Sequence, residues 1–249
     1  MPPLKISTLN LNHRVTEKPI PQAFYSTLSS LTPDIMVLTE YVHGSTRDVF
    51  INKISSFGYQ CKWSKKIIGQ NQILIAAKCN IALGDSSPPS HDEAATSNYL
   101  HVKCHGIHII GLRAPCYTSS TDKNSYWDQV THSISPYKNM PCIVLGDVNC
   151  DPWKSTKSAG ARQLNGLMAD GWNSSNPTPM SQWSYISHPR KKTGTRATSR
   201  IDHFLTTQSL RIESAEYMSK VGDIHIAGTD SSYTDHALLS VTVYPLGTT

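Results

Sequence analysis

The run Ile143-Val144-Leu145-Gly146-Asp147-Val148-Asn149-Cys150-Asp151-Pro152 decides how this sequence is read. Three large aliphatic residues lead into a glycine, then Asp and Asn two apart, then Asp-Pro. An apolar run of that length bounded by turn residues reads as a buried strand that stops at a sheet edge. Gly146 permits a change of direction and close approach of another group. On an extended backbone Asp147 and Asn149 point the same way. One brings an ionisable oxygen and the other both a donor and an acceptor. Such a pair suits a phosphate and an attacking water; an ordinary Asx turn is the competing reading.

Outward from that run, the chain alternates strands with helices and then with tight turns. Residues 5–10 alternate as a strand and end in Asn10-Leu11-Asn12. Pro21 opens a helix to residue 31, a short strand 35–39 ends at Glu40, and a helix 47–57 stops at Gly58. Pairs of strands are expected at 59–63 with 72–77, and at 99–104 with 107–112. The second pair runs into Arg113-Ala114-Pro115. Helices at 122–135 and 162–170 flank the strand at 142–145, with strands at 183–185, 201–206, 212–218 and 237–243 after them. Tight turns demand antiparallel pairs, so a wholly parallel sheet is excluded. The count fits one domain over residues 1–249, of α/β (α+β) class, with two mixed β-sheets packed together and helices outside.

The 249 residues are 38% hydrophobic and 16% charged, with net charge +5 and a pI near 8.8. That balance is compatible with an anionic partner. No apolar run reaches membrane-spanning length, and Met1–Ile6 lacks a secretory core, so a cytoplasmic protein, nuclear in a eukaryote, is expected. The six cysteines have no framework spacing and read as reduced thiols. His101, Cys104, His105 and His108 straddle a strand-turn-strand whose period of two is expected to split them between faces, against a zinc site.

Polar residues gather at strand ends: Asn10 and Asn12, Glu40, Arg113, Asp147 and Asn149, then Asp202 within Ser199-Arg200-Ile201-Asp202-His203-Phe204, and Asp235-His236 before the last strand. Brought to one end of a sandwich, their oxygens would suit Mg²⁺ or Mn²⁺. A histidine with an aspartate partner could act on a proton or a phosphoryl oxygen.

In this order, from Ser7-Thr8-Leu9-Asn10-Leu11-Asn12 to Thr234-Asp235-His236, the residues resemble the endonuclease/exonuclease/phosphatase superfamily, which includes exonuclease III, abasic-site endonucleases and DNase I. The resemblance implies a four-layer sandwich and a Mg²⁺-dependent phosphodiesterase acting on DNA. It implies that Glu40 and Asn10 hold the metal, with Asn12 near it and Asp235 as a further ligand or as a partner that orients one. His236 would contact the scissile phosphate with Asp202 against its ring. Asp147 would take a proton from water or give one to the leaving oxygen, and Asn149 would hydrogen-bond water or phosphate. Arg113 stands where abasic endonucleases carry Tyr, and its guanidinium would fork onto phosphate oxygens. Trp183, Tyr185, Arg190, Lys191, Lys192, Arg196 and Arg200 would border the substrate cleft, where rings beside cations suit a nucleic-acid strand. A monomer without a membrane partner is expected. Phosphoinositide, sphingomyelin or another small phosphate ester is the alternative substrate, and a catalytically silent nucleic-acid-binding module is the other alternative.

Overall fold

The computed structural model describes residues 2–13 and 19–246. The first half contains β1 (Leu4–Asn10), α1 (Gln22–Leu31), β2 (Ile35–Tyr41), α2 (Arg47–Ser56), β3 (Gln60–Trp63), β4 (Gln72–Ala77), β5 (Ala82–Leu83), α3 (Glu93–Ser97), β6 (Tyr99–Cys104) and β7 (Ile107–Arg113). The second half contains α4 (Ser120–Ile134), β8 (Cys142–Asp147), α5 (Ala159–Ala169), β9 (Asn173–Ser174), β10 (Tyr185–Ile186), β11 (Thr198–Ser199), β12 (Asp202–Thr206), β13 (Leu210–Met218), β14 (Lys220–Val221), β15 (Ile224–His225) and β16 (Leu238–Pro245).

Two six-stranded sheets result, ordered β13-β16-β1-β2-β4-β3 and β5-β6-β7-β8-β12-β9. Each is mixed, because β1 pairs parallel with β2 and β7 parallel with β8 while the other pairings are antiparallel. Alternation along each strand sorts side chains into layers. Ile6, Val37, Ile75, Ile109, Leu145 and Phe204 belong to one buried cluster between the sheets. Their neighbours Leu9, Leu38 and Leu74 pack instead under α1 and α2 with Phe24, Leu28 and Phe50. Ile110, Val144 and Leu205 pack under α4 and α5 with Trp127, Val130 and Leu164. The molecule is therefore helix, sheet, sheet, helix, with three apolar layers.

Two sequence expectations are corrected. Cys79 and Cys104 form a disulfide, which links the chain after β4 to the end of β6, whereas Cys61, Cys116, Cys142 and Cys150 are free. His101 and His108 share one face: Lys103 is opposite His108 in the β6–β7 register, and His101 is two residues from Lys103. Antiparallel pairing across a tight turn therefore reunites residues that spacing along one strand separates. No described helix is long and apolar enough to cross a membrane.

Candidate active site

The residues that continue the inter-sheet layer to one end are polar. Thr8 and Asn10 follow Ile6, Asp147 follows Leu145, and Asp202 precedes Phe204, each two residues on. β1, β2, β7 and β8 end here and β12 and β16 begin here, so six strand termini from both sheets meet. In register, Asp147 stands opposite Asp202 on one side and Arg113 on the other. Across the seam Asn10 Nδ2 donates to Asp147 Oδ2 at 3.1 Å, joining the sheets through a buried hydrogen bond.

Gly146 lets β8 lie close beside β7 just before Asp147. Its φ is +138°, and a Cβ there would lie 2.0 Å from the Leu112 carbonyl oxygen. Beyond it the chain leaves the extended form. Asn149 has φ +49°, and its backbone N–H donates to Asp147 Oδ1 at 3.0 Å, an Asx turn. Asp147 and Asn149 thus do not project in parallel from an extended strand. Asn149 Nδ2 instead donates to the Ala114 carbonyl at 2.6 Å and ties the ends of β7 and β8 together.

Glu40 reaches the seam by a second irregularity. The β2–β4 register shifts between Leu38 and Tyr41, and Glu40 has φ +51°. Its Oε1 accepts from Arg113 Nε at 2.9 Å and lies 2.7 Å from the second guanidinium nitrogen; its Oε2 lies 2.9 Å from His13 Nε2. Burial alone would raise the carboxyl, but His13 and Arg113 outweigh it and bring it down to about 2. Asn10 Oδ1 is held by the Asn12 backbone N–H at 2.8 Å, so Asn12 acts here through its main chain.

His236 is buried and shares Nδ1 with Asp202 Oδ2 at 2.8 Å. The pairing leaves Nε2 as the other polar position. Burial alone would favour the neutral ring; the Asp202 carboxylate, with Asp147 and Asp235 beyond it, reverses this and lifts the imidazole to about 10. Asp147 moves the other way for a carboxyl. Burial holds it above the ordinary range against the attraction of His236, and Asp202 adds to the rise. Asp202 Oδ1 is buried with no hydrogen-bond partner among the described residues. Asp235 is half-buried, and its carbonyl accepts from Ile186 N at 2.8 Å.

The expected substrate-facing residues divide. Tyr185 sets its ring edge against His236, 5.3 Å between centroids. Arg190, Lys191 and Lys192 are exposed on the turn beyond the β10–β11 ribbon. Arg196 donates to the Ser187 carbonyl at 3.0 Å and pairs with Asp230 at 2.7 Å. Arg200 departs from expectation: it is 2% exposed, and its guanidinium donates to the Gln182 and Pro179 carbonyls and to Met180 Sδ. It also lies 5.6–6.0 Å from the rings of Tyr217, Trp153 and Trp183, so it is an internal brace. Trp183 is half-buried between Arg200 and Lys154.

Sequence reading did not find His13, Ser184, Tyr217 or Thr234. Ser184 Oγ accepts from the backbone N–H of Ile201 and Asp202, and Tyr217 Oη donates to the Asp202 carbonyl at 2.7 Å. Thr234 Oγ1 donates to the Asn10 carbonyl at 2.9 Å and accepts from His236 N. Only Thr234 and Ser184 carried a signal, by adjacency to Asp235-His236 and Trp183.

No family model matches the chain. No curated protein matches it either. Solved structures do. A Neisseria 3′ phosphatase, NExo, bound to product DNA hairpin, is 17% identical with a TM-score of 0.70, over 96% of this chain and 98% of that one. An AP endonuclease from Archaeoglobus fulgidus is 18% identical at 0.70, with the same coverage. D. rerio TDP2 complexed with single-strand DNA product is 15% identical at 0.71, over 98% and 100%. The chain has the four-layer α/β sandwich fold of the endonuclease/exonuclease/phosphatase proteins.

Proposed function

We propose that this chain is a divalent-metal-dependent hydrolase that cleaves phosphodiester bonds in DNA, with Mg²⁺ or Mn²⁺ as its metal. The observation that carries the reading is the buried His236–Asp202 pair facing Asp147 at a seam where Asn10, Glu40 and Arg113 also end. Solved structures of the same fold include proteins described with product DNA, which supports the substrate class.

The residues divide the work by charge. His236, cationic against Asp202, donates from Nε2 to a phosphoryl oxygen. Arg113 uses two nitrogens on Glu40 and keeps its remaining N–H groups for another. Asp147, whose hold on a proton burial strengthens, accepts a proton from the attacking water or returns one to the leaving oxygen. Asn149, exposed at the mouth, hydrogen-bonds the water or the phosphate. The bond from the water oxygen to phosphorus forms as the bond to the leaving oxygen breaks, giving a phosphomonoester and an alcohol.

Glu40, Asn10 and Asp235 present carboxylate and amide oxygens, and Glu40 stays ionised, a donor set that fits a hard divalent cation. When bound there, such an ion polarises the phosphoryl group and neutralises charge that develops on it.

The test uses plasmid and oligonucleotide duplexes with Mg²⁺, with Mn²⁺ and with EDTA. Cutting is expected only with metal. Asp147→Asn and His236→Ala are each expected to lower turnover by at least about 100-fold while leaving the melting temperature near that of the parent. Cutting that survives EDTA, or none on any nucleic acid, overturns the reading.

A further inference from the structure

The two loops that leave the site do not part. The chain after Arg113 and the chain after Asp147 together form one wall of a cavity of about 250 Å³. Ala114, Pro115, Cys116 and Tyr117 come from the first, Val148, Asn149 and Cys150 from the second. Trp127 of α4 and Ser158–Gly160 at the start of α5 close the far side, and exposed Lys123 stands at the rim. Asn149 lines the cavity two residues beyond Asp147, and its bond to the Ala114 carbonyl joins the two loops beside the site.

The lining has the chemistry of a pocket for a flat, polar-edged ring. Pro115 and Tyr117 line it with rings, and the Tyr117 ring is held by packing on His91 and Tyr126, centroids 5.3 and 5.7 Å away, with its hydroxyl donating to Asp92 Oδ1 at 3.0 Å. At the back, Trp127 Nε1 and Cys150 Sγ meet over Gly160, 2.9 and 2.7 Å from where a Cβ would stand. Trp127 and Cys150 thus close that wall tightly against Gly160, and Asn149 brings an amide to the near one. The volume lies below the about 300 to 1,000 Å³ typical of sites for whole small ligands. It takes one ring system, not a dinucleotide.

We propose that this cavity binds a nucleobase of the strand whose phosphodiester lies at His236 and Asp147, so that the substrate is an intact, base-bearing nucleotide rather than an abasic one. The inference rests on the phosphodiesterase reading above. It deepens that reading by giving the enzyme a base subsite beside the phosphate, reached over Asn149.

The experiment compares two small esters with the same nitrophenolate leaving group: thymidine 5′-(p-nitrophenyl phosphate), which carries a base, and bis(p-nitrophenyl) phosphate, which does not. The measured quantity is the ratio of their kcat/KM values in the parent, in Tyr117→Ala and in Ala159→Leu, which fills the cavity from α5. The parent is expected to prefer the base-bearing ester. Both variants are expected to lose about tenfold or more of that ratio, through KM, with Tyr117→Phe restoring it because the ring remains. A ratio unchanged in both variants overturns the base pocket, as does a parent with no preference. Rates that fall together on both esters mean a structural role for Tyr117 and Ala159 and also overturn it. A parent inactive on both esters and on DNA removes the phosphodiesterase reading itself, a separate result.

Discussion

Gly146 carries the site on a single backbone angle. At φ +138°, with the Leu112 carbonyl 2.0 Å from any Cβ, a side chain is both conformationally and sterically refused. Gly146→Ala is expected to destabilise the protein by at least about 2 kcal/mol, read from urea unfolding, and to lower turnover further by displacing Asp147. Equal midpoints for parent and variant would remove the constraint. This glycine was legible in sequence, since a glycine between an aliphatic run and an aspartate invites that reading. The left-handed angles of Glu40 and Asn149 were not. Glu40 falls in phase with the outward-facing Leu38, and only the register shift in β2 turns it to the seam. Arg200 misled for a related reason. A cation in a basic stretch beside aromatic residues reads as facing a nucleic-acid strand, and nothing in its neighbours announced three rings and two carbonyls waiting for a guanidinium.

At the scale of elements, the ribbon of β10 and β11 separates cations that hold the fold from cations that face solvent. Arg196 is bonded to Ser187 and Asp230, whereas Arg190, Lys191 and Lys192 are exposed on the turn. Replacing those three by Ala is expected to weaken DNA binding at low salt, with melting unchanged. The slope of log K against log salt should fall by up to about 0.9 for each phosphate that their side chains neutralise. An unchanged slope would mean that the turn does not touch DNA. The β6–β7 hairpin makes a different prediction. His101 Nδ1 accepts from Ser86 N at 3.0 Å, which places its proton on Nε2, 3.0 Å from His108 Nδ1. Asp85, Lys103 and Tyr137 surround the pair. Burial, with His108 and Lys103 adding to it against Asp85, lowers the His101 imidazole from 6.5 to about 4. The unfolded chain therefore binds the proton more readily. Stability is complete above pH 6.5 and falls as the pH drops toward 4, by up to about 3 kcal/mol at about 1.4 kcal/mol per pH unit. Denaturant unfolding across that range should show this loss in the parent and a flatter curve in His101→Asn; parallel curves would mean that His101 titrates as it does unfolded. Most helices and strands in both sheets were readable from periodicity. The short strands β5, β9, β11, β14 and β15 were not, because two residues carry no period and take their conformation from the neighbour they pair with.

For the whole molecule, the site is a property of how closely two sheets approach, since Asn10 belongs to one and Asp147 to the other. That approach is visible at Gly111 of β7, in the middle of the inter-sheet layer. A Cβ there would lie 2.8 Å from Val37 Cγ1 and 2.8 Å from Ile73 Cγ2, both branched side chains of the facing sheet with little room to rotate away. Gly111→Ala is therefore expected to push the centres of the sheets apart by tenths of an ångström, at a cost of about 1–3 kcal/mol in unfolding free energy. The consequence for the site follows from geometry. Opening the seam lengthens the Asn10–Asp147 bond and the Arg113–Glu40 pair together, and a shift of tenths of an ångström at reacting groups is expected to cost less than the about 100-fold of a full 1 Å misplacement. The decisive measurement is a double-mutant cycle. Val37→Ala removes one of the two methyls that the new Cβ meets, so Gly111→Ala with Val37→Ala should recover part of the stability and turnover relative to the sum of the single changes. If the two losses simply add, the sheets accommodate the methyl locally and the site does not depend on their spacing.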